Sequence, residues 1–216
     1  MRLNAHFESE TLRVLKRGPL GPYANNGFVL VDKATNQSAI IDAVAEIEQV
    51  TAAVAGTDVR LVLFTHSHAD HVWSFDALKE ATSAPFHIHP EEPNVDHERI
   101  DVHLMGGETL QLGETALRVI HTPGHTPGSL CYYAPPVCLV GDTLFPGGPG
   151  RSGSAEDLQT MIGSINNKLF ALPEETVLLP GHGDDGTVGA SRSEYAGFAA
   201  REHDVNLHGD VLWGRD

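Results

Sequence analysis

The segment Thr65-His66-Ser67-His68-Ala69-Asp70-His71 constrains the fold and the chemistry of this chain more than any other part of it. It directly follows residues 59–64, a continuous apolar run that is typical of a strand buried on both faces. His66 and His68 are two residues apart, so in extended backbone they point the same way. Asp70 and His71 lie past the turn, so their side chains can face a second metal position. A solvated loop with Asp70 as a helix cap is the alternative, but three imidazoles in six residues favour a metal site.

Three further loops place one ligand-type side chain each directly after a predicted strand. His125 lies in a tight loop rich in Pro and Gly. Asp142 and His182 follow the apolar runs 137–140 and 177–179. Each residue alone is more typical of a turn. Because loops at one rim of a sheet converge in space, all four loops together predict one shared site.

The order of the predicted elements indicates two sheets with helices packed outside them. Alternating or continuous apolar runs predict strands, and apolar residues at helical spacing predict helices over 43–55, 73–81, 155–169 and 191–201. Ser154 is a plausible cap for the third of these helices. With no internal linker or repeat, we expect residues 1–216 to form a single domain.

Composition excludes several classes of protein. Apolar residues make up 41% and charged residues 20% of the chain, which is ordinary globular composition. The net charge of −15 disfavours nucleic acid and anionic membrane partners. No apolar run approaches the ~18 residues of a membrane helix. The polar N-terminus lacks a secretory signal, so a cytoplasmic location is expected. Cys131 and Cys138 are interpreted as buried small hydrophobic residues rather than a disulfide.

Taken together, the motifs resemble the metallo-β-lactamase fold superfamily. Its His-x-His-x-Asp-His signature matches residues 66–71, its Gly-His matches 124–125, its Gly-Asp matches 141–142 and its Pro-Gly-His matches 180–182. The resemblance spans nearly the whole chain. It implies an α/β fold of four layers, an αβ/βα sandwich of two mixed β-sheets flanked by helices.

The resemblance also implies a ligand set for two divalent metal ions. One ion would be held by His66, His68 and His125, the second by Asp70, His71 and His182, and Asp142 would bridge both. Imidazole and carboxylate ligands without a thiolate suit zinc, and also iron or manganese. Asp42 resembles the family's aspartate that braces the signature loop, although a simple turn residue is the alternative. His87 and His89 are interpreted as structural or exposed. His121 precedes the ligand loop and is interpreted as a structural residue, with support of a metal ligand as the alternative.

Such a site fits hydrolysis of an activated acyl compound. Two ions that share a water lower its pKa towards neutrality and so generate a bridging hydroxide, which is the nucleophile. Asp70 is placed to accept or pass the proton, and Asp142 holds both ions. Residues 141–152 resemble the glyoxalase II-like branch, in which a basic residue contacts the glutathione part of the substrate. Arg151 lies at that place, and a thioester suits the site because a thiolate leaves without strong acid assistance.

The substrate is less constrained than the metal site. Residues 183–216 are too few for the C-terminal helical domain of full-length glyoxalase II, so the chain looks like the short single-domain branch. A small acyl thioester, glutathione-derived or based on another thiol, is the expected substrate. The related persulfide dioxygenases, which use one iron held by two His and one Asp, are the alternative from another class. A lactonase or other ester hydrolase is a further alternative, and the sequence leaves the oligomeric state open.

Overall fold

The computed structural model of the protein describes residues 5–214. Residues 1–4 and 215–216 lie outside the described part. The expected domain of residues 1–216 therefore extends beyond the described part at both ends. The first residues of the polar N-terminus also lie outside that part.

The first sheet contains the strands of the N-terminal half in sequence order. These are β1 (Phe7–Glu8), β2 (Leu12–Leu20), β3 (Asn25–Asp32), β4 (Gln37–Ile41), β5 (Asp58–Leu63), β6 (Phe86–Ile88) and β7 (Val102–His103). Strands β1 to β4 pair antiparallel, and β4 to β7 pair parallel. The carboxyl ends of β4 and β5 therefore meet at the same edge of this sheet.

The second sheet contains strands of the C-terminal half in the order β15-β14-β11-β10-β9-β8. The strands along the chain are β8 (Thr109–Leu112), β9 (Thr115–His121), β10 (Leu130–Ala134), β11 (Val137–Gly141), β12 (Leu144–Phe145), β13 (Gly148–Pro149), β14 (Val177–Pro180) and β15 (Gly186–Thr187). β12 and β13 form a separate ribbon. β11 runs parallel to β14, and β10 is antiparallel to both β9 and β11, so β9, β11 and β14 end at one edge.

The helices connect and cover the strands. They are α1 (Ile47–Ala53), α2 (Phe75–Ala81), a 3₁₀ turn (His97–Arg99), α3 (Ala155–Ser164), which continues into a π-helical turn (Ile165–Leu169), and α4 (Val188–Ala199). The side chain of Ser154 accepts a hydrogen bond from Asp157 N, so Ser154 caps α3 as its sequence position predicts. Within residues 5–214, every helix is too short or too polar to cross a lipid bilayer.

Three hydrophobic clusters define four layers. Leu63 of the first sheet and Leu139 of the second belong to the cluster between the two sheets. Val62, next to Leu63, faces the opposite side and shares a cluster with Leu78 of α2. A third cluster lies outside the second sheet and includes Leu158 of α3. The predicted fold, two mixed sheets flanked by helices, is therefore confirmed.

The first helix begins later than its apolar spacing predicts. Helical spacing indicates residues 43–55, but α1 begins at Ile47. Ala43 N donates to His71 O at 2.8 Å, and Ser74 N donates to Ala43 O at 2.8 Å. The N–H and C=O of Ala43 thus pair with the backbone of His71 and Ser74, and Glu46, directly before the helix, has a left-handed φ of 54°. A residue in that conformation cannot continue a right-handed helix backwards, so α1 begins at Ile47. The chain after β4 thus buttresses the ligand loop.

Candidate metal centre

The ligand-type side chains of all four predicted loops converge at the edge where β5, β9, β11 and β14 end. Three overlapping groups have ligand atoms within 4.8 Å of one another. The groups are His66, His68 and His125; His66, His71 and Asp142; and Asp70, His71 and His182. His66 and His71 are buried, while His182 keeps part of its surface in solvent. The site therefore opens on one side.

Ring nitrogens of neighbouring histidines face each other inside this cluster. His66 Nε2 lies 3.1 Å from His68 Nδ1, and His71 Nε2 lies 3.3 Å from His182 Nε2. Two nitrogen lone pairs at such a distance repel each other unless a proton or a cation lies between them. Each pair can thus act as two ligands of one metal ion.

The outer nitrogens of three of these rings donate to oxygen atoms behind them. The pairs are His71 Nδ1 to Asp42 Oδ2 (2.9 Å), His125 Nδ1 to Arg151 O (2.8 Å) and His182 Nδ1 to Tyr23 O (2.9 Å). A neutral imidazole that donates through Nδ1 carries its lone pair on Nε2. This arrangement is typical of metal-binding histidines, whose second ring nitrogen is oriented by a carboxylate or carbonyl.

Asp142 lies between the histidine groups. Its Oδ2 is 3.4 Å from His182 Nε2 and 3.7 Å from His125 Nε2, and its Oδ1 is 3.4 Å from His71 Nε2. Burial raises the pKa of Asp142, but His71 and His182 outweigh it and hold that pKa well below its usual range. The carboxylate is therefore ionised and within reach of ligands on both sides.

The carboxylates also shift the pKa values of two histidines. Burial lowers the pKa of His71, but Asp142 and Asp42 raise it well above its usual value. Burial likewise lowers the pKa of His182, and hydrogen bonds with Asp142 and Asp70 raise it to about 10. Protons on these rings occupy places suited to a cation, so a divalent ion that binds here displaces protons.

Several features of the site fit a divalent metal ion. His125 Nε2 and Asp142 Oδ1 are buried without a hydrogen-bond partner, which is costly unless another ligand satisfies them. Gly181 leaves room beside them, because a Cβ there would lie 2.6 Å from His71 Cε1. Imidazoles and carboxylates without a thiolate suit zinc, iron or manganese.

A sequence profile of the Metallo-beta-lactamase superfamily matches residues 20–182. The chain belongs to this superfamily. The probable metallo-hydrolase YqgX of Bacillus subtilis is 32% identical over 79% of this chain and 90% of its own length. The hydroxyacylglutathione hydrolase GloC of Haemophilus influenzae is 32% identical over 81% and 92%. The crystal structure of ETHE1 from Myxococcus xanthus superposes with a TM-score of 0.74 at 27% identity, over 87% of this chain and 86% of that one.

Within this superfamily fold, Asp42 braces the ligand loop. Its Oδ1 accepts from Thr65 N at 2.7 Å, and its Oδ2 accepts from Thr65 Oγ1 at 2.8 Å as well as from His71. Thr65 Oγ1 lies 3.1 Å from His66 Nδ1, so it can accept from that ring while donating to Asp42. One buried carboxylate therefore orients both ends of the His66–His71 segment.

Arg151 reaches the site through its backbone, and its side chain lies at the rim. Its carbonyl oxygen accepts from His125, whereas its guanidinium lies 3.5 Å from Asp210 and is 73% exposed. A cavity of about 180 Å³ lies beside it, lined among others by Phe145, Gly150 and Leu212. The guanidinium is therefore available to a ligand in that cavity.

The structure adds two polar residues that no sequence motif indicated. Asn25 Nδ2 donates to Asp70 Oδ2 at 2.7 Å. Glu92 is completely buried and accepts hydrogen bonds from Ser67 and Thr126. A Glu in the polar stretch 90–94 gives no sign of burial in the sequence. The asparagine could have been suspected only from its position at the start of an otherwise apolar strand.

His89 and His121 form a separate cluster with Glu91. Their rings stack at a centroid distance of 4.2 Å. His89 Nδ1 already accepts from Glu91 N at 3.1 Å, and His121 Nε2 donates to Pro127 O at 2.8 Å. A metal ion on the other nitrogen of His89 would require that ring to change its tautomer and lose its backbone contact. The contacts fit the structural role predicted for these residues.

Proposed function

We propose that this chain hydrolyses an acyl thioester of the hydroxyacylglutathione type at a centre of two divalent metal ions. The observation that supports the proposal most directly is the position of Asp142. A single oxygen, Oδ2, lies 3.7 Å from His125 Nε2 on one side and 3.4 Å from His182 Nε2 on the other. A carboxylate so placed can bridge two ions.

The proposed ligands follow from the groups described above. His66, His68 and His125 would hold the first ion, Asp70, His71 and His182 would hold the second, and Asp142 would be a ligand of both. Zinc is the expected metal, with iron or manganese compatible with the same ligands. When bound, such ions lower the pKa of water towards neutrality and polarise a substrate carbonyl.

Asp70 is the residue placed to handle the proton of the attacking water. Its Oδ2 accepts from Asn25 and lies 3.2 Å from His182 Nε2. Burial raises the pKa of Asp70, but hydrogen bonds from His182 and Asn25 bring it down to about 2. A carboxylate with so low a pKa stays ionised at neutral pH, so it can accept a hydrogen bond from water and orient that water, although it is too weak a base to keep the proton.

Arg151 and the adjoining cavity support an anionic thioester as substrate. Because an exposed ion pair contributes only about 0–1 kcal/mol, Arg151 can exchange Asp210 for a substrate carboxylate at little cost. A guanidinium binds a carboxylate with two parallel hydrogen bonds. A relative named as a hydroxyacylglutathione hydrolase, 32% identical over 81% of this chain, points to the same substrate class.

Steady-state kinetics on protein loaded with zinc, iron or manganese test the proposal. The substrates are a hydroxyacylglutathione thioester, a neutral truncated thioester, a lactone and a β-lactam. We expect the anionic thioester to give the highest kcat/KM. A faster lactone or β-lactam would contradict the thioester assignment. Oxygen consumption with a glutathione persulfide, by protein holding a single iron, would assign the chain to an oxidoreductase instead.

A further inference from the structure

Glu92 is a buried carboxylate in the loop between β6 and the 3₁₀ turn. Its exposed fraction is 0%. The donors that reach its two oxygens are neutral: one backbone N–H and two hydroxyl groups. An ionised carboxylate taken out of water is costly even when it is hydrogen bonded. Such a residue calls for a role that outweighs the cost.

The two oxygens of Glu92 bind two different ligand loops. Oε2 accepts from Ser67 N and Ser67 Oγ, both at 2.7 Å, and Oε1 accepts from Thr126 Oγ1 at 2.5 Å. Ser67 stands between His66 and His68, and Thr126 directly follows His125. One side chain thus connects the loops that present all three imidazoles of the first ion.

We propose that Glu92 is a positioning residue for the first metal ion, and that it sets the spacing between the His66–His68 segment and His125. The inference rests on the metal centre of the proposed function and not on its substrate. The Glu92 side chain forms its hydrogen bonds with Ser67 and Thr126, which lie between and beside the ligands, and not with any of the three imidazoles. Its role is to hold two loops from different sheets in one register.

The surroundings of Glu92 fix its position. Thr126 Oγ1 also lies 2.6 Å from Ser129 Oγ, and Asn94 N donates to Ser67 Oγ at 3.1 Å. A Cβ on Gly128 would lie 2.8 Å from Glu92 Oε1, so glycine is required for the close approach of the carboxylate to this loop. The hydroxyl donors are therefore held on both sides of the carboxylate rather than free to rotate away.

The ligands proposed for the second ion are oriented by other groups. Asp42 accepts from His71, the carbonyl of Tyr23 accepts from His182, and Asn25 donates to Asp70. Glu92 contacts none of these three. Loss of the hydrogen bonds of Glu92 should therefore weaken binding of the first ion far more than binding of the second. A general loss of stability would not discriminate between the two ions.

The chain offers a matched control at Asp32. This residue is also 0% exposed, and its oxygens accept from Thr35 N at 2.9 Å, Thr35 Oγ1 at 2.7 Å and Thr115 Oγ1 at 2.8 Å. One backbone N–H and two hydroxyls thus reach Asp32, as they reach Glu92, and the backbone of Glu114 adds a further hydrogen bond. Asp32 ends β3 at the end of the sheet opposite to the ligand loops, so it has no connection with the metal site.

The experiment compares Thr126→Val with Thr115→Val in the full chain. Each change is nearly isosteric and removes one hydroxyl from a buried carboxylate, so both should lower the melting temperature of the chelator-treated protein to a similar extent. Zinc dissociation constants are measured by competition with a chromophoric chelator. We expect Thr126→Val to raise one of the two zinc dissociation constants about 10- to 100-fold, which is the usual effect of losing a residue that orients metal ligands. Thr115→Val should change neither dissociation constant.

Two further variants sharpen the test. In Glu92→Gln the amide oxygen can still accept from Ser67 and the amide nitrogen can donate to Thr126, so zinc binding should largely recover, whereas Glu92→Ala should resemble Thr126→Val. Anomalous diffraction at the zinc edge should find the remaining ion of Thr126→Val among Asp70, His71 and His182. The proposal would be overturned if Thr126→Val weakened the binding of both ions equally, or if Thr126→Val and Thr115→Val had equal effects on zinc binding. Wild-type protein that binds fewer than two zinc ions would instead contradict the proposed centre.

Discussion

Asp42 Oδ2 accepts a hydrogen bond from His71 Nδ1 at 2.9 Å, and both side chains are buried. The same carboxylate holds Thr65 through its backbone N–H and its hydroxyl. Asp42 adopts a left-handed conformation, with φ of 60°. Asp and Asn tolerate this conformation better than most residues, so asparagine can replace Asp42 without straining the backbone.

Asp42→Asn should therefore weaken metal binding while the fold is kept. Whichever way the amide is turned, its NH₂ group meets a donor, either His71 Nδ1–H or the N–H of Thr65. The imidazole loses its charged acceptor, and zinc affinity should fall about 10- to 100-fold. Competition titration measures the loss, and circular dichroism checks the fold. Unchanged affinity would mean that Asp42 is only a turn residue.

Asp142→Ala should remove the ligand that the two ions share. We expect the variant to lose occupancy at both positions and to hydrolyse substrate orders of magnitude more slowly, with the fold largely intact. Asp142 is the carboxylate whose oxygens lie within 3.7 Å of three histidine nitrogens. Elemental analysis and steady-state kinetics measure both effects. Two bound ions and near-normal turnover would refute the bridging role.

Arg151→Ala should weaken hydrolysis of an anionic thioester and spare a neutral, truncated one. A charge-assisted contact that the bound substrate shields from water contributes roughly 1.5–3 kcal/mol, more than the exposed pair with Asp210, and this corresponds to about 10- to 150-fold in kcat/KM. If the contact is equally strong in ground and transition states, the loss appears in KM. Asp210→Asn is the matched control, because it frees the guanidinium from its 3.5 Å partner and should leave binding equal or tighter. Equal losses on both thioesters would show that Arg151 supports the loop instead.

The raised pKa of His182 makes the stability of the metal-free protein depend on pH. The value is about 10 in the folded chain against an ordinary 6.5. A group whose pKa is raised by folding stabilises the fold fully below its unfolded pKa and loses that contribution as pH rises through the folded pKa. As the pH rises from about 6.5 to about 10, wild type should therefore lose its advantage in unfolding free energy over His182→Gln. Urea unfolding in the presence of chelator measures it, and a constant or growing difference would contradict the assignment.

The fold was predictable because its determinants are local in the sequence. Leu63 and Val62 are both apolar, as a strand covered on two faces requires, and the structure packs them into different layers. The start of α1 was not predictable from periodicity. Residues 43–46 are apolar or helix-compatible, but the backbone of Ala43 pairs with that of His71 and Ser74, far away in the sequence, and Glu46 has a left-handed φ.

The candidate ligands were predictable for the same reason, since each directly follows a strand and belongs to a short motif. Glu92 and Asn25 were not, because what distinguishes them is burial against segments far away in the chain. Glu92 contacts Thr126 across 34 positions, and Asn25 contacts Asp70 across 45. Local sequence contains no trace of such contacts, whereas the structure shows them directly.

Anomalous diffraction at the zinc edge, from crystals of the zinc-loaded wild-type protein, tests the central claim most directly. We expect two peaks per chain. One should lie among His66, His68 and His125, the other among Asp70, His71 and His182, with Asp142 in contact with both. A single peak, or two peaks without Asp142 between them, would contradict the two-metal centre on which the proposed hydrolysis depends.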